Sequence, residues 1–291
     1  MRRDFKQFLR TIIGIIQMLL FKKPKDILID FINMHSSLFK INKNEASAHI
    51  AHMLKFSKND NYKYKNQEDL QKQWYASLEK SSPDYTVYND QYYFAELWAC
   101  WIIYSRKYLR TLVSETSMPK CSIFNYISKQ TDTILDLGCG IGYTTAALSE
   151  IFKNKIVIGT NIKDTEQWIF CKKMAKQYNF KLKSDPFKIK NNVDFIFASE
   201  YFEHIYEIGD HLQRLIDTLS PKYMLIANSF DTRAVGHFTK YKFKNIIIDQ
   251  KGATIYFNKM MNHNGYVKIK TKAWNQRPTL WERNCKQKGL I

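Results

Sequence analysis

The sequence predicts an α/β fold, a Rossmann-like sheet with helices on both faces, preceded by a mainly helical N-terminal extension. From residue 131 onward, short apolar segments alternate with helix-like segments, which is typical of a parallel sheet. A glycine turn also joins the first of these strands to a helix, and such a turn aims backbone N–H groups at a ligand. At 291 residues, the chain can form one large domain with an appendage.

Residues 1–125 are predicted to form the helical extension, or cap. Between residues 5 and 20, apolar side chains recur at helical spacing and predict an amphipathic helix. Its apolar run is shorter than the ~20 residues that a membrane-spanning helix needs. The helix therefore either packs on the domain or lies on an anionic membrane surface. Further helices are expected at 27–38, 46–54 and 92–112, with a polar loop at 59–71.

Residues 126–291 are predicted to form the sheet domain. Strands are expected at 134–137, 155–162, 194–200, 223–230 and 267–274. Helices are expected from residue 143, at 164–178 with Asp164 as N-cap, and at 210–219. The segment 275–284 either closes over an acceptor or caps the edge of the sheet.

The net charge of +18 is concentrated in two parts of the chain, residues 1–130 and residues 221–291. Residues 1–130 carry 20 basic and 12 acidic side chains, residues 131–220 carry 11 and 12, and residues 221–291 carry 14 and 3. This distribution suits an anionic acceptor, nucleic acid or a lipid headgroup surface. Lys outnumbers Arg by 36 to 9, which an AT-rich genome would also produce without any ligand.

The five cysteines form no C-x-x-C pair, and their odd number argues against a disulfide framework. This usage predicts a reducing compartment, so the expected location is the cytoplasm, with peripheral membrane contact through residues 5–20 as a further expectation. No transmembrane segment and no metal site are expected from the sequence.

The glycine turn has the pattern Asp136-x-Gly138-x-Gly140-x-Gly142. A dinucleotide fingerprint would need its third glycine at position 143, which is Tyr, and no Walker-type phosphate loop occurs. The pattern instead resembles motif I of the class I S-adenosylmethionine-dependent methyltransferases. The resemblance extends over residues 131–274 through the order of strands and helices that follows.

This resemblance implies S-adenosylmethionine as the cofactor. In the family, the motif I acid lies near the methionine end, and the glycines lie against the sugar and the amino acid portion. Asn161 stands where the family usually has an acid that grips both ribose hydroxyls, and Asp185 stands where an acid often contacts the adenine amino group. The implied cofactor-binding residues are Asp136, Gly138, Cys139, Gly140, Gly142, Asn161, Ile162, Asp185, Pro186, Ser199 and Glu200.

The segment 198–205 resembles the family's segment after the fourth strand, with its Glu-His pair. Glu203 and His204 are candidate acid–base residues for the acceptor, or else they cap a helix start. His237, in a basic and aromatic neighbourhood, is a second candidate base. The segment 199–202 lacks both prolines of the [DNS]-P-P-[YFW] loop found in DNA amino-methyltransferases, which argues against that class.

The leading hypothesis is therefore a methyltransferase that moves a methyl group to a hydroxyl or amine of a small-molecule, glycan or lipid-linked acceptor. The basic flanks keep a nucleic-acid methyltransferase as an alternative. A catalytically silent fold that serves as a binding module is the third hypothesis, since Asn161 replaces the usual acid.

Overall fold

The computed structural model describes residues 24–53, 64–190, 192–273 and 277–284. The amphipathic helix predicted at residues 5–20 lies outside these ranges. None of the helices described is long and apolar enough to cross a membrane. The chain divides into two compact units: one contains residues up to 107 together with 164–170, and the other contains 108–163 and the residues from 171 onward.

The described helices follow the predicted alternation. They are α1 (Pro24–Phe39), α2 (Lys43–Met53), α3 (Tyr64–Glu79), α4 (Gln91–Cys100), α5 (Arg106–Val113), α6 (Ile123–Ile127), α7 (Tyr143–Ile151), α8 (Glu166–Tyr178), α9 (Ile208–Leu219) and α10 (Gln250–His263). A π-helical turn, Trp101–Ser105, joins α4 to α5, so the aromatic segment predicted as one helix is nearly continuous. Short 3₁₀ turns occupy Tyr85–Asn89, Ser128–Gln130, Pro186–Lys188 and Phe202–His204.

The described strands form a seven-stranded sheet and a separate hairpin. They are β1 (Thr133–Leu137), β2 (Ile156–Thr160), β3 (Lys181–Lys183), β4 (Phe195–Ser199), β5 (Tyr223–Ala227), β6 (Lys240–Phe243), β7 (Ile246–Asp249), β8 (Tyr266–Ile269) and β9 (Thr279–Arg283). The sheet has the order β3-β2-β1-β4-β5-β9-β8, and β6 pairs with β7. Strands β1 to β5 are parallel, whereas β9 runs antiparallel to both β5 and β8. The Rossmann-like fold class is confirmed.

The centre of the sheet is apolar on both faces, as a parallel sheet covered by helices requires. Every residue of β1 and of β5 is buried. Ile134 pairs with Val157 of β2 on one side and with Phe195 of β4 on the other. These apolar runs are the signals that predicted β1, β2, β4 and β5.

The N-terminal unit has an aromatic core of its own. Phe31 of α1 stacks on Trp98 at 4.8 Å and on Phe94 at 5.4 Å between ring centroids. In the same core, Nδ1 of His49 lies 3.2 Å from Nε2 of the buried His35. Each aromatic ring buries a large apolar area and gains further from stacking on its neighbours, which explains why this part of the chain is rich in aromatic side chains.

Several sequence predictions are corrected by the structure. The polar segment 59–71 was expected to be a loop, but α3 begins at Tyr64. The N-cap of α8 is Thr165 rather than Asp164, because the Thr165 hydroxyl accepts a hydrogen bond from the Trp168 N–H at 3.2 Å. The segment 275–284 does not cap the sheet edge: its strand β9 lies inside the sheet, between β5 and β8.

Candidate functional site

The strand order reverses at β1, which has β2 on one side and β4 on the other. In open α/β sheets, ligands bind beyond the carboxyl ends of the strands at such a switch point. The connections after β1, β2, β4 and β5 begin at Gly138, Asn161, Glu200 and Asn228. The predicted site residues of these connections therefore gather at one end of the sheet.

The glycine turn after β1 has a backbone conformation that side chains disfavour. Gly138 has φ +66° and Gly142 has φ +87°. A Cβ at Gly138 would overlap the ring of Tyr201, and a Cβ at Gly142 would lie 2.9 Å from the Cys171 sulfur. Glycine is thus required for space as well as for φ. The contact with Tyr201 also places the segment that follows β4 directly against the turn.

Asp136 is a buried acid whose partner is a hydroxyl group. Its Oδ2 accepts a hydrogen bond from Thr145 Oγ1 of α7 at 2.7 Å. The amides of Gly138 and Cys139, in the glycine turn, donate to Thr160. Burial raises the pKa of Asp136 to about 7, which the Thr145 hydroxyl partly offsets.

Asn161 connects the ends of β1 and β2. Its Oδ1 accepts from the Ile162 N–H at 2.8 Å, which fixes the orientation of the carboxamide. Its Nδ2 then donates to the Gly140 carbonyl at 2.5 Å. The residue holds the glycine turn in place, and an acid could not, because a carboxylate has no proton to donate.

Three further predicted cofactor residues lie beyond β2 and β3. Ile162 is 54% exposed although it is large and apolar. Asp185 accepts a hydrogen bond from the Phe187 N–H at 2.9 Å and precedes the turn that begins at Pro186. An exposed apolar side chain and an accessible carboxylate are the groups that the flat, polar-edged adenine ring would contact.

Beyond β4, a carboxylate accepts hydrogen bonds from two distant parts of the chain. Oε1 of Glu200 accepts from the Tyr108 hydroxyl at 2.9 Å and from Nη2 of Arg277, which also contacts the Ser229 hydroxyl. The Glu200 side chain is 17% exposed, so the ion pair is mostly shielded from water. We call Tyr108, Glu200, Ser229 and Arg277 the Glu200 cluster. Its neighbour Ser199, at the last position of β4, is half-buried.

Glu203 supports this cluster from inside the protein. It is fully buried, and its Oε1 accepts from the Ser229 N–H at 2.8 Å. Burial first, and the neighbouring Glu200 charge second, raise the pKa of Glu203 well above its ordinary range. Its other carboxyl oxygen, Oε2, is buried and has no hydrogen-bond partner among the described residues. Glu203 lies too deep to touch an acceptor.

The two predicted histidines lie together beside the cluster. The rings of His204 and His237 meet edge to face at 4.8 Å between centroids. Burial lowers the pKa of both rings, and for His204 the neighbouring His237 lowers it further. Nδ1 of His237 donates to the Thr232 carbonyl at 2.8 Å. Both imidazoles are therefore neutral at pH 7, the form that can take up a proton.

Sequence reasoning missed Tyr108, Thr145, Ser229 and Arg277. Thr145 is two residues into α7, one helical turn past the glycines, but nothing distinguishes it from a core Thr. Tyr108 and Arg277 lie 92 and 77 residues from Glu200 in the chain, so no local pattern links them. One signal for Arg277 was available in the sequence. It is an Arg followed by Pro in the segment 275–284, which was expected either to close over an acceptor or to cap the sheet edge.

The sheet order and the glycine turn at its switch point form a Rossmann-like fold. Residues 135–227 match the family model described as a methyltransferase domain. The resemblance to class I S-adenosylmethionine-dependent methyltransferases is thereby confirmed. The match supports methyltransferase activity with S-adenosylmethionine as the methyl donor. It does not establish the acceptor.

Solved methyltransferases give structural matches. An O-methyltransferase family protein from Burkholderia thailandensis matches with a TM-score of 0.48 and 10% identity, over 86% of this chain and 86% of that one. A putative O-methyltransferase from Nostoc punctiforme gives 0.47 and 11%, over 74% and 68%. A SAM dependent methyltransferase from Aquifex aeolicus gives 0.35 and 17%, over 51% and 78%. The search of curated proteins gave no match.

Proposed function

We propose that this protein transfers a methyl group from S-adenosylmethionine to a hydroxyl or amine of a small-molecule, glycan or lipid-linked acceptor. The Glu200 cluster carries this proposal. It follows β4 directly, and the next residue, Tyr201, touches Gly138 of the glycine turn. A polar, shielded cluster thus adjoins the turn that the family uses for the cofactor. The role of residues 1–125 as a cap over the acceptor stays a prediction.

The residues around the switch point fit the cofactor. Ile162 presents an apolar surface, and Asp185 keeps its carboxylate accessible. The bound cofactor supplies an electrophilic methyl group on a sulfonium centre. Asn161 holds the turn in shape, so its part in binding is to position Gly140 as well as to face the ribose.

On the acceptor side, Glu200 orients the attacking group. Tyr108 and Arg277 fix its carboxylate, which has capacity for a further N–H or O–H donor. A carboxylate there also stabilises positive charge that develops on an attacking amine. For a hydroxyl acceptor, neutral His237 or His204 is the candidate to take the proton. Glu203 holds the backbone of Ser229 in position by accepting a hydrogen bond from its N–H group.

Glu200→Gln separates the acceptor role from the cofactor role. The variant should bind S-adenosylmethionine within about threefold of wild type, yet lose about 10- to 1,000-fold in methyl transfer, since an oriented, charge-stabilised nucleophile is lost. Calorimetry measures the binding, and transfer is followed with methyl-labelled cofactor and extracts of the host. Glu207→Gln, an exposed acid paired with Lys242, is the matched control.

The outcomes are distinct. Parallel losses in cofactor affinity and turnover would place Glu200 on the cofactor, as the sequence resemblance implied. An unchanged turnover would remove it from the reaction altogether. If wild type transfers no label to any fraction, the proposed function itself fails. Label that nuclease treatment removes would favour the nucleic-acid alternative.

A further inference from the structure

The hairpin of β6 and β7, together with α10, presents large apolar side chains to solvent. Ile246 is 50% exposed, Ile247 is 59% exposed and Ile255 is 56% exposed. Exposed lysines lie beside them: Lys244 in the turn of the hairpin, and Lys251 and Lys259 on α10. We call these six residues the hairpin surface. Scattered single isoleucines on a surface are ordinary, but a group flanked by lysines suggests an interaction site.

The hairpin and the helix form one continuous surface. A Cβ at Gly252 would lie 2.5 Å from Ile248 Cγ2, so the first turn of α10 packs against β7. Farther along, the ring of Tyr256 lies 5.8 Å from that of Phe243 in β6. Residues Lys251, Ile255 and Lys259 are spaced by four, which places them in one row on the helix. This row runs beside the positions that touch the hairpin.

β7 is an edge strand within the described residues. Among the described strands, it pairs only with β6. On the other side of β6, the N–H group of Lys242 donates a hydrogen bond to the Tyr206 carbonyl. Consecutive residues of a strand point to opposite faces, so Ile246 and Ile247 expose apolar surface on both faces of this edge. Natural proteins usually blunt such edges with charge, and the charged residue of β7 is Asp249 at its end.

The charge around the hairpin surface is positive. Residues 233–259 contain six basic side chains and one acidic side chain, a net charge of 6 − 1 = +5. The one acid, Asp249, is occupied as the N-cap of α10. Lys242 is neutralised by Glu207 at 2.6 Å. Across the described ranges, no carboxylate lies within 4.0 Å of Lys244, Lys251 or Lys259, so their charges are available to a partner.

We propose that the hairpin surface binds an anionic lipid bilayer, with Ile246 and Ile247 entering the interface and the three lysines contacting lipid phosphates. Two effects would favour binding. The isoleucine side chains become buried in the headgroup region, and the lysines are attracted to the anionic lipids. The sequence suggested a different part of the chain, residues 5–20, for membrane contact.

The chemistry of the surface favours lipid over two other partners. Isoleucine offers no flat ring for a nucleic-acid base to stack on and no group that reads a base edge. A second copy of the chain would bring another net charge of +18 to the same place, which repels. An anionic bilayer matches both the charge and the apolar tip.

The experiment measures partitioning of the full-length protein onto sedimented vesicles of phosphatidylcholine with or without phosphatidylglycerol. Wild type should bind the anionic vesicles, and Ile246→Ser with Ile247→Ser should lower the partition coefficient at least about tenfold. Replacing the three lysines by Gln should lower it roughly 100-fold. Ile29→Ser, at an isoleucine that is 52% exposed elsewhere, is the matched control and should bind like wild type.

Five results would overturn the proposal. Wild type could fail to bind anionic vesicles, or the isoleucine variant could bind as wild type does. Binding could be lost only when Leu9 and Ile12 are replaced, which would assign it to the N-terminal segment. The lysine variant could lose affinity for RNA or DNA in a gel shift while vesicle binding persists, which would assign the lysines to nucleic acid. The isoleucine variant could change only the sedimentation of a dimer, which would assign the isoleucines to a contact between two copies of the chain.

Discussion

At the scale of single residues, Asn161 joins the ends of β1 and β2 through a hydrogen bond that a carboxylate could not make. The sequence showed only that the family's usual acid is replaced, which weakened the expected grip on the ribose. The structure gives the replacement a physical reason. The amide N–H reaches the Gly140 carbonyl, and an acid there would face it oxygen to oxygen.

Asn161→Asp should therefore destabilise the protein although it restores the family's usual residue. Without cofactor, the free energy of unfolding should fall by about 1–3 kcal/mol, because a buried hydrogen bond becomes a repulsion. Urea unfolding measures this. Asn154→Asp, at an exposed turn position, should change stability by less than about 0.5 kcal/mol. Equal stability of Asn161→Asp and wild type would mean that the Gly140 contact contributes nothing.

Much of the site could be anticipated at this scale, because its glycines, acids and histidines lie next to recognisable strands. What could not be anticipated were partners. The hydroxyl of Thr145 donates a hydrogen bond to Asp136. Glu200 was assigned to the cofactor, yet Arg277 and Tyr108 hold it. Such pairings depend on tertiary packing, which no spacing along the chain reveals.

At the scale of elements, the start of α8 shows how one residue decides a boundary. Asp164 has φ +62° and lies outside the helix, whereas Thr165 supplies the capping oxygen. Both are residue types favoured at N-caps, so the sequence could not rank them. The structure decides between Asp164 and Thr165, because the capping oxygen must reach the N–H group of the third helical residue, Trp168, and Thr165 does so.

Thr165→Ala should lower the free energy of unfolding by about 1 kcal/mol through loss of this cap. Thr165→Ser keeps the hydroxyl and should lie close to wild type. Chemical unfolding followed by circular dichroism compares the three proteins. If Ser destabilises as much as Ala, the loss comes from the Thr methyl group and the capping interpretation is wrong.

The apolar strands at the centre of the sheet were predictable, and the edge strand β8 was predicted as part of 267–274. The strands β3, β6, β7 and β9 were not predicted. β1, β2, β4 and β5 are continuous buried runs, whereas β3 is the short Lys-Leu-Lys and is mostly exposed. The β6–β7 hairpin alternates lysine with aromatic residues and then exposes isoleucine, so it has no single apolar face. β9 became a strand because β5 and β8 supply partners on both sides, which is a long-range effect.

At the scale of the whole molecule, buried acids make stability depend on pH. The folded state raises the pKa of Asp136 to about 7 from its usual 3.8, so the native protein binds more protons than the unfolded chain between these values. Stability from this group is therefore present at low pH and is lost as pH rises through the folded pKa.

The measurement compares wild type with Asp136→Asn by urea unfolding across this pH range. The Asn variant lacks the titration, so its stability relative to wild type should increase from about pH 4 to pH 7 and then level off. The increase should be at most about 4 kcal/mol, at 1.36 kcal/mol for each pKa unit. A difference that is independent of pH would show that Asp136 titrates normally in the folded protein.

The position of β9 inside the sheet also affects how the protein is made. β5 ends at Ala227 and β9 begins at Thr279, so 51 residues separate them. At roughly 5–20 residues per second, a ribosome needs about 3–10 s to synthesise this stretch. During that interval, one edge of β5 has no strand to pair with. Nascent chains are thus exposed to mispairing at this edge, which makes them candidates for chaperone binding before synthesis is complete.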